Sequence, residues 1–169
     1  RERFSQLEVL GITGSNGKTI VKELLYQLLA TRYTTVRSPR SYNSQIGVPL
    51  SVLSITEEDE LGLFEAGISR TGEMAALEPV IQPKYGVFTS LGSAHQEGFS
   101  SLEEKLEEKL LLFRHSETLF YSLDDALVRE SMQRRFPERK HITWSRRDPK
   151  ATICIGQCTT RLEQSELSI

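Results

Sequence analysis

The chain has 169 residues, about the length of one domain, and 38% of them are hydrophobic, which is enough to bury a core. Its 21 basic and 23 acidic residues nearly balance, which argues against nucleic acid or an anionic membrane as a partner. No apolar run approaches a membrane-spanning length, and the first residues lack the apolar core of a signal peptide, so we expect a cytoplasmic protein.

Short β-prone runs alternate with amphipathic helical runs through most of the chain. This alternation is typical of an α/β fold in which a mostly parallel sheet carries helices on both faces. The predicted strands are 8–12, 34–37, 61–65, 85–89, 119–121 and 141–144, and the predicted helices are 18–30, 44–53, 72–80, 101–113 and 124–136. Two further β-prone runs, at 151–155 and 158–162, predict a small β-hairpin extension at the C-terminal end.

A glycine-rich loop lies between the first strand and the first helix, which is the context of a P-loop. Backbone N–H groups of such a loop surround phosphate oxygens, and the helix N-terminus adds partial positive charge. The residues predicted to bind a nucleotide are Gly14, Ser15, Asn16, Gly17, Lys18 and Thr19, with the Thr19 hydroxyl as a magnesium ligand. Ile12 stands where the commonest P-loop has glycine, and the alternative is an ordinary glycine turn followed by an exposed lysine.

Turn-forming, amide and hydroxyl residues are concentrated at 38–50, directly after the second strand. Ligands of parallel sheets collect beyond the carboxyl ends of the strands. We therefore consider Asn43, Ser44 and Gln45 as substrate-binding residues. The alternative is a loop in which Asn43 or Ser44 only caps the next helix.

Two ionisable side chains follow strands that should end at the same edge of the sheet. Glu65 closes the third strand opposite the P-loop, where a carboxylate binds magnesium directly or through water. His95 lies in a loop of small residues after the fourth strand and is a candidate for metal or phosphate binding. In the alternative interpretation both are solvated side chains. Glu73 is better placed to favour the first turn of the following helix.

The helix predicted at 101–113 opens with a capping box, Ser101 to Glu104. At helical spacing Lys109 falls inside the predicted buried stripe, and burial favours its neutral amine. The alternative is a lysine whose stem packs while its ammonium group reaches water. The stripe consists of Leu102, Leu106, Leu110 and Phe113, and the residues predicted to face elsewhere are Glu103, Glu104, Glu107 and Glu108.

Cys154 and Cys158 are the two cysteines of the chain, and the predicted hairpin would bring them opposite each other. We interpret them as reduced thiols, because a metal site would need more ligands than these two and His141.

Taken together and in this order, these residues resemble the central ATPase domain of the Mur ligase family, the amide-forming enzymes of peptidoglycan precursor synthesis. The resemblance runs from about Leu7 to Phe113, and the P-loop is similar to the family's own version, which accounts for Ile12. The segments 43–50, 65–74 and 94–95 are most similar to the ligases that join D-alanyl-D-alanine to UDP-N-acetylmuramoyl-tripeptide. Ser44 and Ser90 depart from that branch, which commonly has asparagine at both positions.

The resemblance implies a reaction in which ATP phosphorylates a substrate carboxylate and an amine then attacks the acyl phosphate. It implies ATP and Mg²⁺ as cofactors, a UDP-muramyl peptide as substrate, and magnesium held by Thr19, Glu65 and His95. Lys109 matches a lysine that several members carry as a carbamate. The implied catalytic residues are Lys18, Glu65, His95 and Lys109.

Family members have three domains, and residues 1–169 are expected to be a truncated central ATP-binding domain. The N-terminal UDP-sugar domain and the C-terminal amino-acid domain would be absent, so we expect the isolated chain to be inactive. Pyridoxal phosphate would be a cofactor only if an alanine racemase domain is fused in the parent protein. The alternatives are a folylpolyglutamate-synthase-type ligase, a nucleotide-binding module without ligase activity, and a P-loop kinase.

Overall fold

The computed structural model describes residue 4 and residues 6–92, 98–156, 158–160 and 165–167. Its centre is a seven-stranded sheet in the order β2-β3-β1-β4-β5-β6-β7, in which all neighbouring strands are parallel. The strands are β1 Glu8–Thr13, β2 Thr35–Arg37, β3 Leu61–Glu65, β4 Tyr85–Phe88, β5 Thr118–Ser122, β6 Lys140–Ser145 and β7 Ile153–Cys154. The predicted parallel sheet is therefore confirmed.

Five helices are found in the described part of the chain, close to the predicted positions. They are α1 Lys18–Leu29, α2 Gly47–Val52, α3 Glu73–Ile81, α4 Leu102–Leu110, which continues as a 3₁₀ turn at Leu111–Phe113, and α5 Ala126–Arg135. The second helix starts three residues later than predicted because residues 44–46 form a turn, in which the Ser44 hydroxyl accepts a hydrogen bond from Gly47 N. None of these helices is long and apolar enough to cross a membrane.

Helices cover both faces of the sheet, as predicted. Successive side chains of a strand point to opposite faces, so Val9 and Leu10 of β1 belong to different apolar clusters. Leu10 packs in the cluster that includes Val21 and Leu25 of α1. Val9 packs in the larger cluster, to which α2, α3, α4 and α5 all contribute. The buried strands β1 and β3 are thereby held between two helical layers.

The C-terminal strands pair differently from the prediction. The residues of β7 extend the large sheet in parallel beside β6, with Cys154 opposite Ser145. A small antiparallel pair does follow, but it consists of β8 Cys158–Thr160 and β9 Ser165–Leu167. The prediction that Cys154 and Cys158 face each other across a hairpin is wrong, because the open edge of β6 provides backbone partners for residues 153–155. Cys154 is a free, exposed thiol.

Candidate nucleotide-binding site

The P-loop joins the carboxyl end of β1 to α1 through two glycines with positive φ, Gly14 at 141° and Gly17 at 82°. A Cβ on Gly14 would lie 2.1 Å from Thr89 Oγ1, so this position also lacks room for a side chain. Among the described residues no side chain caps α1, which leaves its first N–H groups free for an anion.

The segment after β4 lies directly against the P-loop. Ser15 N donates to Ser90 O at 2.7 Å, Asn16 N donates to Ser90 Oγ at 3.3 Å, and Thr89 Oγ1 donates to Asn16 O at 2.6 Å. Ser90 therefore supports the P-loop. Ala94 and His95 follow shortly after in the sequence and lie outside the described ranges, so the metal role of His95 stays a prediction.

Two lysines from different helices meet on one P-loop carbonyl. Lys18 Nζ donates to Gly14 O at 3.0 Å, and Lys109 Nζ donates to the same oxygen at 3.2 Å. Lys18 is half-buried, so the alternative of an exposed lysine after a plain turn is wrong. Lys109 is only 2% exposed, which confirms the predicted inward direction and rules out a side chain that reaches water.

The same surroundings lower the pKa of both lysines. Burial is the largest cause for each, because it disfavours the charged ammonium form. For Lys109, the positive charges of Lys18 and Lys105 add to burial, and its pKa is lowered to about 7. At neutral pH a substantial fraction of Lys109 is therefore the neutral, nucleophilic amine.

Two residues of α4 face inward although the apolar pattern of this helix did not predict it. Lys105 is 0% exposed and donates to Gly92 O at 2.6 Å, and its spacing of four residues from Lys109 was the signal for a shared face. Glu108 was predicted to face away from the buried stripe, which is wrong. It is buried and accepts hydrogen bonds from Gly72 N at 2.9 Å and Met74 N at 3.1 Å, because the N-terminus of α3 needs acceptors.

Glu65 ends β3 beside the P-loop and is 0% exposed, so the alternative of a solvated glutamate is wrong. Its Oε2 accepts from the Thr19 hydroxyl at 3.0 Å and from Asn43 Nδ2 at 3.4 Å, and its Oε1 accepts from Lys22 at 3.1 Å. Lys22 was missed by the sequence analysis, although its spacing of three residues from Thr19 places both on one side of α1.

The oxygen atoms of Thr19 and Glu65 are suitable ligands for magnesium. A carboxylate and a hydroxyl are hard oxygen ligands, and Mg²⁺ is commonly bound by one or two such groups together with water and substrate phosphates. Across the described ranges no group of three or more His, Cys, Asp or Glu side chains forms a metal cluster. Thr19 and Glu65 would therefore hold the ion jointly with the nucleotide.

The predicted substrate residues all line one cavity of about 300 Å³ next to the P-loop. Asn43 bonds Glu65 as described, Ser44 Oγ accepts from Gly47 N, and Gln45 Nε2 donates to Glu73 O at 3.0 Å. Glu73 lies in the first turn of α3, as predicted, and its carboxylate accepts from Ser69 N at 2.7 Å. The lining comprises Gly14, Ser15, Lys18, Asn43, Ser44, Gln45, Ile46, Gly67, Ile68, Ser69, Glu73 and Lys109.

Comparison with known proteins matches residues 12–169 to the family model described as Mur ligase middle domain. The UDP-N-acetylmuramoyl-tripeptide--D-alanyl-D-alanine ligase of Treponema pallidum is 39% identical over 112 residues, which cover 66% of this chain and 24% of that protein. The corresponding ligase of Bacillus subtilis is 33% identical over 126 residues, covering 73% of this chain and 28% of that protein. The chain thus spans about a quarter of the length of these curated relatives.

Solved structures share the fold over nearly the whole chain. A MurF from Acinetobacter baumannii superposes with a TM-score of 0.89 at 21% identity, covering 98% of this chain and 36% of that one. The MurF ligase from Thermotoga maritima in complex with ADP has a TM-score of 0.83 at 28% identity, covering 95% of this chain and 37% of that one. An FPGS of L. casei is more distant, with a TM-score of 0.63 at 12% identity, covering 96% of this chain and 50% of that one.

Proposed function

The chain belongs to the Mur ligase family, and from that membership we propose that it is the central, ATP-binding part of a longer enzyme that forms an amide bond in peptidoglycan precursor synthesis. The observation that carries the proposal is the meeting of the Thr19 hydroxyl and the Glu65 carboxylate beside the Lys18 and Lys109 Nζ atoms at the P-loop. The names of the relatives support UDP-N-acetylmuramoyl-tripeptide and D-alanyl-D-alanine as the substrates.

The residues of the chain would act mainly by binding and alignment. Both partners of the first step, the γ-phosphate and the substrate carboxylate, are anionic, so catalysis depends on neutralising charge and fixing geometry. The P-loop N–H groups and Lys18 hold the phosphates. When bound through Thr19, Glu65 and His95, Mg²⁺ supplies further neutralisation.

Lys109 has the properties required of a carbamate-forming lysine. A neutral amine attacks the carbon of CO₂, a C–N bond forms, and a proton leaves to give a carbamate anion. The depressed pKa provides the neutral amine, and the neighbouring Lys18 and Lys105 would stabilise the resulting negative charge. We propose this modification for Lys109 as a property shared with several family members.

The remaining substrates would be bound outside this chain, by a UDP-sugar domain and an amino-acid domain of the parent protein. The proposal is supported by the length of the curated relatives, of which the chain covers about a quarter. A cytoplasmic location is part of the same proposal, since nucleotide substrates are used there. Pyridoxal phosphate would enter only through a fused racemase domain.

The experiment compares wild-type full-length protein with Lys18→Ala, supplied with ATP, UDP-N-acetylmuramoyl-tripeptide and D-alanyl-D-alanine. We expect ADP release and amide formation in the wild type and a loss of at least about 100-fold in the variant, because the outer phosphates lose their cation. Lys84→Ala is the matched control, since Lys84 pairs with Glu8 at the opposite end of the sheet. Turnover by Lys18→Ala within threefold of wild type would reject the P-loop assignment.

The same assay separates the alternatives. A folylpolyglutamate-synthase-type ligase would release ADP with a folate and glutamate but not with the muramyl peptide. A nucleotide-binding module would bind ATP and release no ADP with either pair of substrates.

A further inference from the structure

Lys22 is a buried lysine in the second turn of α1 that the mechanism above does not use. Its side chain is 0% exposed, and its ammonium group donates to the carbonyls of Ser38 and Arg40 and to Glu65 Oε1. The bond to Ser38 O is 2.7 Å long and the bond to Glu65 is 3.1 Å long. Lysine is rarely buried completely, and its charge then needs close partners such as these.

The acceptors of Lys22 come from two segments that border the nucleotide site. Glu65 ends β3, whereas Ser38 and Arg40 belong to the loop after β2. Arg40 adopts a left-handed conformation with φ of 49°, and this turn directs two loop carbonyls onto the same ammonium group. The loop continues to Asn43, whose side chain also contacts Glu65. Lys22 thus connects α1, the loop and the carboxylate.

The contacts of Glu65 distinguish its two oxygens, because Lys22 bonds Oε1 whereas the Thr19 hydroxyl lies nearer to Oε2. Thr19 Oγ1, the other oxygen of the candidate metal site, lies 3.0 Å from Oε2 and 3.3 Å from Oε1, whereas the Lys22 ammonium group bonds Oε1 at 3.1 Å. The bond to Lys22 therefore fixes the rotation of the carboxylate so that Oε2 faces the P-loop. Without Lys22, the buried Glu65 carboxylate would lose the ammonium group that it contacts. Its position would then depend on hydrogen bonds from uncharged groups.

We propose that Lys22 is a positioning residue of the nucleotide site, which holds Glu65 in the orientation that receives a divalent cation and ties the 38–43 loop to the same carboxylate. The assignment rests on the proposed function, because it needs a cation bound with the nucleotide at Thr19 and Glu65. Since Lys22 is 0% exposed and its ammonium group is directed at protein acceptors, it would act through Glu65 and not by touching the nucleotide or the cation.

The test measures Mn²⁺ binding to the full-length protein by electron paramagnetic resonance, with a saturating non-hydrolysable ATP analogue. Groups that orient a metal ligand typically contribute 10- to 100-fold to metal affinity, so we expect Lys22→Met to raise the dissociation constant for Mn²⁺ by at least about 10-fold. Amide hydrogen exchange in the 38–43 segment should also become faster, because two loop carbonyls lose their donor.

Glu23→Gln is the matched control for this variant. Glu23 is the other carboxylate near Lys22, with Oε1 at 3.2 Å from Nζ, but it is 36% exposed and lies outside the site. We expect Glu23→Gln to bind Mn²⁺ within twofold of wild type. An affinity of Lys22→Met that is also within twofold of wild type overturns the assignment.

A double variant separates positioning from general damage to the fold. Lys22→Met combined with Glu65→Met removes both buried charges and leaves neither unpaired, so it should fold even where Lys22→Met alone does not. If Lys22 acts through Glu65, the double variant binds Mn²⁺ within twofold of Glu65→Met, and a further 10-fold loss contradicts the assignment. Failure of the wild type to bind Mn²⁺ with the nucleotide analogue would instead reject the proposed function and the assignment together.

Discussion

At the scale of single residues, Lys109 links stability to pH in an unusual direction. Its pKa in the folded protein is about 7, far below the ordinary value of 10.5 that it regains on unfolding. Between these two values the unfolded chain binds more protons than the folded one. The free energy of unfolding therefore rises with pH in this window, and the contribution of Lys109 is least favourable below pH 7.

We predict that replacing Lys109 with methionine removes this part of the pH dependence. Urea unfolding of wild type and Lys109→Met in CO₂-free buffer at pH 7, 8 and 9 measures the difference directly. The wild-type free energy of unfolding should rise more steeply than that of the variant, by up to about 1.4 kcal/mol per pH unit for one proton. Parallel curves for the two proteins would show that Lys109 keeps its proton throughout.

Gly14 supports a second prediction at this scale. Alanine at this position would combine a φ that only glycine tolerates with a Cβ placed 2.1 Å from Thr89 Oγ1. We expect Gly14→Ala to lower the free energy of unfolding by about 2–3 kcal/mol or more. Gly72→Ala is the control, because Gly72 has φ of 88° but open space around it, so its loss should be near 1 kcal/mol. If chemical denaturation shows that Gly14→Ala and Gly72→Ala lower the free energy of unfolding equally, the predicted clash at Gly14 is contradicted.

At the scale of elements, α4 positions α3 as well as Lys109. The Glu108 carboxylate accepts hydrogen bonds from Gly72 N and Met74 N, in the role of an N-terminal cap contributed by another helix. We predict that Glu108→Ala lowers the free energy of unfolding by about 1–2 kcal/mol, the usual effect of losing a helix cap. Glu103→Ala, on the exposed side of the same helix, should change stability by less than about 0.5 kcal/mol in the same urea titration.

The elements themselves could be predicted from the sequence because each depends on a local pattern. The strand, glycine loop and helix around Lys18 follow from hydrophobic periodicity and turn chemistry, and the helical phase was sufficient to place Lys109 inside. The same phase argument was wrong for Glu108. One apolar stripe describes a helix packed on one side, whereas α4 also contacts the start of α3, which attracts a carboxylate.

The pairing of residues across the sheet could not be predicted. Nothing local indicates that Lys22 and Glu65 form a buried ion pair, because it requires β3 to lie next to β1 and the loop after β2 to fold over α1. The pairing of the C-terminal strands depended in the same way on the edge that β6 offers to β7. Alternating β-prone runs predict where strands lie in the sequence, but they do not predict which strands pair with each other.

At the scale of the whole molecule, the described site would bind ATP, one of the three substrates of the proposed reaction. We predict that the isolated 169-residue chain releases no ADP with ATP, UDP-N-acetylmuramoyl-tripeptide and D-alanyl-D-alanine, whereas the full-length protein does. Coupled-enzyme detection of ADP at equal molar concentrations makes the comparison. Sustained ADP release by the isolated chain would show that the reaction does not need further domains to bind the other two substrates.

The position of β1 in the centre of the sheet has a consequence for synthesis on the ribosome. This first strand pairs with β3 and with β4, which come more than 50 and more than 70 residues later. Local folding of β1 and α1 during synthesis therefore cannot complete the P-loop, since its supports at Thr89, Ser90 and Lys109 have not yet emerged. The complete nucleotide site therefore forms only after α4 has been synthesised, and a stalled chain that ends before α4 exposes an unfinished apolar sheet to chaperones.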